Sequence, residues 1–162
     1  MDKVEIRRFD PADEEGATAL IVSIQNDEFG IAITAEDQPD LQEIPDFYQR
    51  DAGDFWVAHT PDGEVVGTIA LRDIGDGMGA LRKMFVHPAH RGASGLARAL
   101  LDTLLTHARA HGLARIYLGT VDRFLAAHRF YTRQGFTLVD PVLLPPTFPR
   151  MAVDSRFYAL SL

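Results

Sequence analysis

Residues 86–97, which read VHPAHRGASGLA, carry the residue types of an anion-binding loop. The segment passes from an apolar run through a proline to Gly92 and Gly95, and then enters a helix with a regular apolar face. A strand followed by such a loop and a helix directs free N–H groups and the positive end of the helix dipole to one spot. The two glycines permit close approach of a ligand, Ser94 can cap the helix, and Arg91 adds a permanent positive charge. By itself the segment fits a phosphate site and a plain strand-to-helix connection equally well.

Two better-known phosphate-binding motifs do not fit this segment. The sequence lacks Gly-x-x-x-x-Gly-Lys-Ser/Thr, which excludes the P-loop. A dinucleotide-binding loop needs a parallel βαβ unit with an acidic residue about 20 residues further on. Here the preceding strand belongs to an antiparallel run and Asp122 comes too late, so a nicotinamide cofactor is a remote option.

Histidine pairs raise the possibility of a metal site. His87 and His90, and likewise His107 and His111, have spacings that are compatible with metal binding. Neither pair has a clear third ligand, and the chain has no cysteine. We therefore expect no metal, and the missing cysteines also exclude a disulfide scaffold and thiol chemistry.

Composition limits the class of protein. A chain of 162 residues is about one domain. Its net charge of −7 disfavours nucleic acid and anionic membranes as partners. No apolar run approaches the roughly 20 residues that span a bilayer, and the start of the chain resembles no signal peptide. We expect a cytoplasmic protein that binds neither nucleic acid nor membrane.

Apolar periodicity and turn residues predict an α/β fold. The predicted strands are residues 4–9, 55–59, 64–71, 80–87, 115–119, 136–139 and 156–162. The predicted helices are residues 11–28, 40–50, 96–110 and 124–133. Thr-Pro-Asp-Gly at 60–63 and the glycines Gly75, Gly77 and Gly79 predict two turns. The order of elements predicts a mixed, mostly antiparallel central sheet flanked by about four helices.

Residues 80–136 combine several features in a fixed order. These are an apolar strand (LRKMFV), a proline two residues past its end, the glycine loop, a long amphipathic helix, a strand (IYLGT) and the motif Ala-x-x-Phe-Tyr-x-x-x-Gly-Phe. In this order and spacing the segment resembles the core of the GNAT superfamily of N-acetyltransferases. The resemblance extends more loosely over the rest of the chain. It implies one acyl-CoA N-acyltransferase domain over residues 1–162, with a GNAT-like fold and acetyl-CoA as cosubstrate.

Carried over residue by residue, the resemblance implies a coenzyme A site on this chain. Phe85 and Val86 end a strand whose exposed backbone pairs with the pantetheine arm, and the N–H of Val86 polarises the acetyl carbonyl. Tyr131 protonates the leaving thiolate, because a phenol with a pKa of about 10 is close enough to a thiol of about 8.5 to supply the proton. The remaining implied cofactor contacts are Arg91, Gly92, Ala93, Ser94, Gly95, Leu96, Ala97, Phe124 and Ala127.

Three departures from the family pattern stand out. The family's loop usually reads Gln/Arg-x-x-Gly-x-Gly/Ala, whereas here Gly92 takes the first place and Arg91 lies one residue early. Phe124 stands where many members have an asparagine, so Thr120 is a candidate for the lost hydrogen bond. The glutamate that often serves as base is missing, since Ala80 and Leu81 stand where it would be.

The general base and the acceptor stay open. Asp73, His128 and Glu28 are the candidate bases. The acidic stretch NDEFGIAITAEDQPD would suit a small cationic amine, and the proline-rich segment at 141–158 could wall the acceptor pocket or an interface. A polyamine, an amino acid, a drug-like amine and a protein amine all remain possible acceptors.

The resemblance predicts a function and leaves two rivals. The prediction is transfer of an acetyl group from acetyl-CoA to a primary amine by direct attack in a ternary complex. The rivals are an acyl-CoA-binding sensor without catalysis and an interaction module, for instance a homodimer that uses the C-terminal apolar loops.

Overall fold

Seven strands form one sheet in the computed structural model, which describes residues 3–122 and 124–162, the side chain of Ala93 excepted. The strands are β1 (Glu5–Arg8), β2 (Asp54–His59), β3 (Val65–Gly75), β4 (Met78–Val86), β5 (Arg115–Thr120), β6 (Thr137–Val139) and β7 (Arg156–Ser161). Their order across the sheet is β1-β2-β3-β4-β5-β7-β6. Neighbouring strands run antiparallel except β4 and β5, which are parallel. The predicted mixed, mostly antiparallel sheet is confirmed.

The described residues form four α-helices around this sheet. They are α1 (Glu14–Ser23), α2 (Ile44–Phe47), α3 (Leu96–Ala110) and α4 (Leu125–Arg133). A π-helical turn, Ile24–Glu28, extends α1, so the predicted extent of the first helix is confirmed although its end is wound differently. Short 3₁₀ turns at Pro88–His90 and Gly92–Ser94 join β4 to α3.

Helices cover both faces of the sheet and bury a core on each. The apolar stripe of α3, including Leu100, Leu101 and Leu104, is fully buried on one face. On the other face α1 and α2 pack against the sheet. Strand β2 serves both cores, because Trp56 belongs to the first core while its neighbours Phe55 and Val57 belong to the second. Residues 55–57 are therefore core, as the alternation of a strand requires.

Two local predictions were wrong. The segment 40–50 is a 3₁₀ turn, Pro39–Gln42, followed by the four-residue α2, because Glu43 between them leaves helical geometry at φ −136° and ψ 39°. Gly79 does not belong to a turn but lies in β4. A Cβ there would come within 2.6 Å of Leu71 Cδ1, so close packing of the sheet explains this glycine.

Strand β4 contains a bulge at Lys83. Its register against β3 shifts between Ala70, which faces Arg82, and Thr68, which faces Phe85. Lys83 adopts a φ of 53°, which a non-glycine residue rarely takes. The buried hydroxyl of Thr68 donates a 2.7 Å hydrogen bond to the carbonyl of Lys83. This side chain satisfies a backbone group that the bulge removes from regular pairing.

Replacement of Thr68 by valine should therefore destabilise the protein. The isosteric T68V leaves the Lys83 carbonyl without this donor, which we expect to cost about 1–3 kcal/mol in the free energy of unfolding. The matched control is T103V on α3, where the lost hydroxyl donates to the Ala99 carbonyl and the expected change is within about 0.5 kcal/mol. Urea denaturation measures both, and equal effects would contradict the role assigned to Thr68.

Candidate functional site

Strands β4 and β5 separate soon after they begin, and the gap between them is the centre of the site. Their pairing runs from Met78 opposite Arg115 to Ala80 opposite Tyr117, and no later pair occurs between described residues. The N–H of His87 donates to Val66 on β3. Since successive N–H groups of a strand point to opposite edges, the N–H of Val86 points into the gap.

Two cavities open along this gap. One, the glycine-loop cavity, has a volume of about 680 Å³ and is lined by Val86, Arg91, Gly92, Gly95, Ala97 and Arg98 among others. The other, the wedge cavity, has a volume of about 200 Å³ and lies between the separating strands, lined by Gln25, Arg82, Lys83, Thr120, Phe148 and Asp154 among others. Six residues line both: Phe29, Met84, Phe85, Phe124, Ala127 and Tyr131. The two cavities therefore meet at these side chains.

The glycine loop exposes backbone to the first cavity. Gly92 and Gly95 take left-handed φ values of 79° and 70°, and a Cβ at either position would meet open space. The N-cap residue Gly95 has no side chain to bind the first turn of α3, so N–H groups of that turn are open to an anion. Ser94 supplies one long capping contact: its hydroxyl donates to the His90 carbonyl and accepts the Leu96 N–H at 3.4 Å.

Nine of the twelve cofactor contacts implied by the sequence line the glycine-loop cavity. Among the other three, Leu96 buries its side chain in the core beside α3, which leaves only its main chain for a ligand. Ser94 is turned toward His90, and Ala93 contributes main-chain atoms to the Gly92–Ser94 turn. Most of the residues that the resemblance implies for the cofactor therefore line one surface, and their role in binding it stays a prediction.

Arg91, which stands one residue early against the family pattern, ties the loop to its surroundings. Its Nε donates to the Val86 carbonyl at 2.9 Å, and its two terminal nitrogens contact the carboxylate of Glu28. The arginine thus links the end of β4 to the π-helical turn. Arg98 and Arg133 also line this cavity, which gives it an excess of positive charge.

Tyr131 on α4 lies at the meeting point of the two cavities. It is buried, and burial raises the pKa of its hydroxyl above the ordinary value. That hydroxyl points to the sulfur of Met84 at 3.5 Å, a weak acceptor. Tyr131 consequently keeps its proton at neutral pH and holds it beside both cavities.

The three candidate bases lie in different places, and none of them is free at the wedge cavity. Asp73 lies in β3, accepts the N–H groups of Ala52 and Gly75, and lines neither cavity. His128 is buried with its Nε2 2.9 Å from the Val121 carbonyl, and it lines neither cavity. Glu28 lines the glycine-loop cavity but is paired with Arg91. None of the three faces the wedge cavity, whereas Asp154, which sequence reasoning missed, does.

The acidic stretch at residues 26–40 does not place its carboxylates on the wedge cavity. Its contributions there are the apolar Phe29, Ile31 and Ile33. The stretch therefore gives this cavity apolar contacts and no carboxylate, and its suitability for a cationic amine stays a prediction. The proline-rich segment contributes Phe148 and Pro149, so its predicted role as a wall fits the geometry of this cavity.

Lys83, the residue at the bulge, lies in a buried polar network below the wedge cavity. Its Nζ donates to Gln38 Oε1 and lies 3.6 Å from the Asp40 carboxylate, which also accepts the Tyr48 hydroxyl. Burial lowers the pKa of Lys83 to about 8, against the opposing effect of Asp40. No local sequence pattern indicates this network, because its members lie up to 45 residues apart in the chain.

Within residues 3–122 and 124–162, no three His, Cys, Asp or Glu side chains are grouped so that they could hold a metal ion. The rings of His107 and His111 stack at 3.9 Å, and His87 accepts the N–H of Ala89. Across the same described residues, no helix is both long and apolar enough to cross a membrane.

A family model described as "Acetyltransferase (GNAT) family" matches residues 19–136. The chain belongs to this family. A GNAT-family acetyltransferase from Staphylococcus aureus Mu50 has a crystal structure that superposes with a TM-score of 0.93 at 36% identity, covering 98% of this chain and 99% of that one. The GNAT-like fold implied by the resemblance is confirmed.

Two named relatives align with part of this GNAT domain. N-acetylaspartate synthetase from Xenopus tropicalis is 37% identical over 105 residues, which cover 64% of this chain and 38% of that protein. Amino-acid acetyltransferase from Mycobacterium tuberculosis is 37% identical over 89 residues, which cover 54% of this chain and 48% of that protein. The chain thus spans less than half the length of either relative.

The buried lysine offers a direct test of the site's electrostatics. Lys3 and Lys83 are the only lysines in the sequence, so ¹³Cε-lysine NMR gives two signals. We expect the Lys83 signal to titrate near 8. D40N should lower the pKa of Lys83 further, because it removes the opposing negative charge. A wild-type Lys83 whose pKa is not lowered from the ordinary 10.5 would contradict the network.

Proposed function

We propose that this protein transfers an acetyl group from acetyl-CoA to a primary amine by direct attack in a ternary complex. One observation carries the proposal: the glycine-loop cavity and the wedge cavity meet at Tyr131, next to the strand end that turns the Val86 N–H into the gap. Two ligands bound from opposite sides would meet there. Membership of the GNAT family and the names of the relatives support acetyl transfer.

The residues around the larger cavity fit coenzyme A. Gly92, Gly95 and Ala97 offer backbone to a pyrophosphate at the start of α3, and the positive charges of Arg98 and Arg133 favour an anion. Phe85, Phe124 and Ala127 offer apolar contacts along the route to Tyr131. The unpaired edge of β4 offers backbone groups to an extended pantetheine arm.

Two groups of the chain would act on the reacting atoms. Bound acetyl-CoA supplies an activated acyl group as a thioester. The N–H of Val86 would donate to the carbonyl oxygen, on which negative charge develops as the amine nitrogen attacks. Tyr131 would deliver its proton to the departing sulfur, because its hydroxyl lies where the two cavities meet and is protonated there.

We further propose a cytoplasmic protein that can form a homodimer. Leu138, Val142 and Leu143 on the C-terminal side of the sheet are largely exposed. Exposed apolar groups of this size support an interface between copies, whose presence light scattering or analytical centrifugation would measure.

The glycine loop is tested by a bulky residue at Gly95. Acetyl-CoA should raise the wild-type melting temperature by mass action, and G95W should abolish that rise by blocking the loop. The control is G112W at the other end of α3, where the glycine also has a left-handed φ, 78°, and open space around it. In both variants the left-handed φ should lower the free energy of unfolding by a similar amount, about 1 kcal/mol. A ligand-induced rise that survives in G95W would mean that the loop does not hold the cofactor.

The role of Tyr131 is tested by removing its hydroxyl. With release of free thiol as the readout and a panel of amines as acceptors, Y131F should lower kcat by about 10²–10⁴-fold while acetyl-CoA binding is kept. The control is Y158F, because the Tyr158 ring packs 6.2 Å from that of Tyr131 while its hydroxyl accepts from Arg156. A Y131F enzyme with wild-type kcat would exclude Tyr131 as the proton donor. A wild-type protein that binds acetyl-CoA but transfers no acetyl group to any amine would favour a non-catalytic sensor.

A further inference from the structure

Arg82 lines the wedge cavity, and its guanidinium has no ion-pair partner among the described side chains. Its guanidinium makes no hydrogen bond or ion pair with another described residue, and lies 5.6 Å and 6.0 Å from the ring centroids of Phe47 and Tyr48. Lys83 differs, because Asp40 and Gln38 partner its ammonium group. A planar guanidinium suits a bidentate contact with a carboxylate. Arg82 is therefore the group of this cavity that a ligand carboxylate would neutralise.

Asp154 faces the same cavity from the loop that precedes β7 and lies against β5. Its Oδ2 accepts the Met151 N–H at 3.0 Å, and a Cβ on Gly119 of β5 would lie only 2.6 Å from that oxygen. Glycine in β5 thus makes room for this carboxylate to lie against the strand. Arg82 lowers the pKa of Asp154 through space, as Arg150 and Lys83 do to a smaller extent. Opposite charges therefore flank the cavity from β4 and from the loop against β5.

We propose that the acceptor is an α-amino acid, whose carboxylate binds Arg82 and whose ammonium group binds Asp154. The inference rests on the proposed acetyl transfer and names its substrate class. A zwitterion supplies a partner to both flanking charges, whereas an amine without a carboxylate would cover Arg82 and leave its charge unpaired, which is costly. The apolar Ile31, Ile33 and Phe148 of the same cavity leave an apolar surface for the amino-acid side chain.

Asp154 also accounts for the missing base. It takes one proton from the ammonium group, and the nitrogen lone pair then forms the C–N bond as the C–S bond breaks. The sulfur leaves with the electron pair and receives a proton from Tyr131. The nitrogen gives its remaining extra proton to the Tyr131 phenolate, and Asp154 releases its proton to solvent. Burial raises the pKa of Asp154, which makes it a better proton acceptor than an exposed carboxylate.

The acceptor class is tested with matched sets of compounds. Free-thiol release is measured for the proteinogenic L-amino acids, their α-amides and their decarboxylated amines. We expect at least one amino acid to exceed its amide and its amine by about 100-fold or more in kcat/KM, because the site rejects a ligand that leaves a polar group unpaired. An amine without a carboxylate that reacts as well as the best amino acid would overturn the inference, as would the absence of turnover with every amino acid.

Arg82 is tested by R82Q. The variant should lose about 100-fold in kcat/KM for the best amino acid, mainly through KM, and change by less than about threefold for its amide. The control is R72Q, because Arg72 stacks on Phe47 at 3.8 Å without lining the cavity. Unchanged kinetics of R82Q would contradict the carboxylate contact. Retained acetyl-CoA binding, measured by calorimetry, shows that R82Q is folded.

Asp154 is tested by D154N, since the amide oxygen of asparagine can still accept the Met151 N–H. We expect kcat to fall about 100-fold, whereas D140N, which changes the cap of the Pro141–Leu143 turn, should keep it. A wild-type kcat in D154N would overturn the proton transfer. Failure of the wild-type protein to bind acetyl-CoA would contradict the proposed function, whereas binding with transfer only to amines lacking a carboxylate would contradict this inference alone.

Discussion

The early end of pairing between β4 and β5 is the constraint on which the whole site depends. After Ala80 and Tyr117 the two parallel strands diverge, and each leaves backbone groups without a strand partner. Unpaired groups of this kind are costly unless water or a ligand satisfies them. Both cavities lie along this gap, and the edge of β4 presents the Val86 N–H to it. A sheet that stayed paired to Val86 would have neither cavity.

The bulge at Lys83 adapts β4 to this gap. It adds one residue, so that Arg82 and Lys83 both lie toward the α1–α2 side, near Tyr48 and Asp40 respectively. Met84 and Val86 then pack with the α3 core, and Phe85 with the α1 core. One strand consequently supplies a charged wall to the wedge cavity and an apolar end to the glycine-loop cavity. Tyr131 from α4 closes the junction, and its burial keeps the proton on the phenol.

Local sequence patterns predicted the helices, turns and loops whose conformation depends on neighbouring residues in the chain. The apolar stripe of α3, the turn at residues 60–63 and the glycine loop were recognisable, because periodicity and left-handed glycines leave a direct trace in the sequence. The bulge, the Arg91–Glu28 pair and the place of Asp154 were not. Each depends on contacts between residues far apart in the chain: 63 positions separate Arg91 from Glu28. The family pattern also could not reveal that the early arginine is held by Val86 and Glu28.

Hydrogen exchange of the Val86 amide reports whether the cofactor binds along the edge of β4, because that N–H should gain a partner when the gap is filled. Saturating acetyl-CoA should slow exchange at Val86 and in the first turn of α3. Exchange at Gly112, at the far end of the same helix, should stay unchanged. Binding of acetyl-CoA with no added protection at Val86 would contradict the claim that the edge of β4 receives the cofactor.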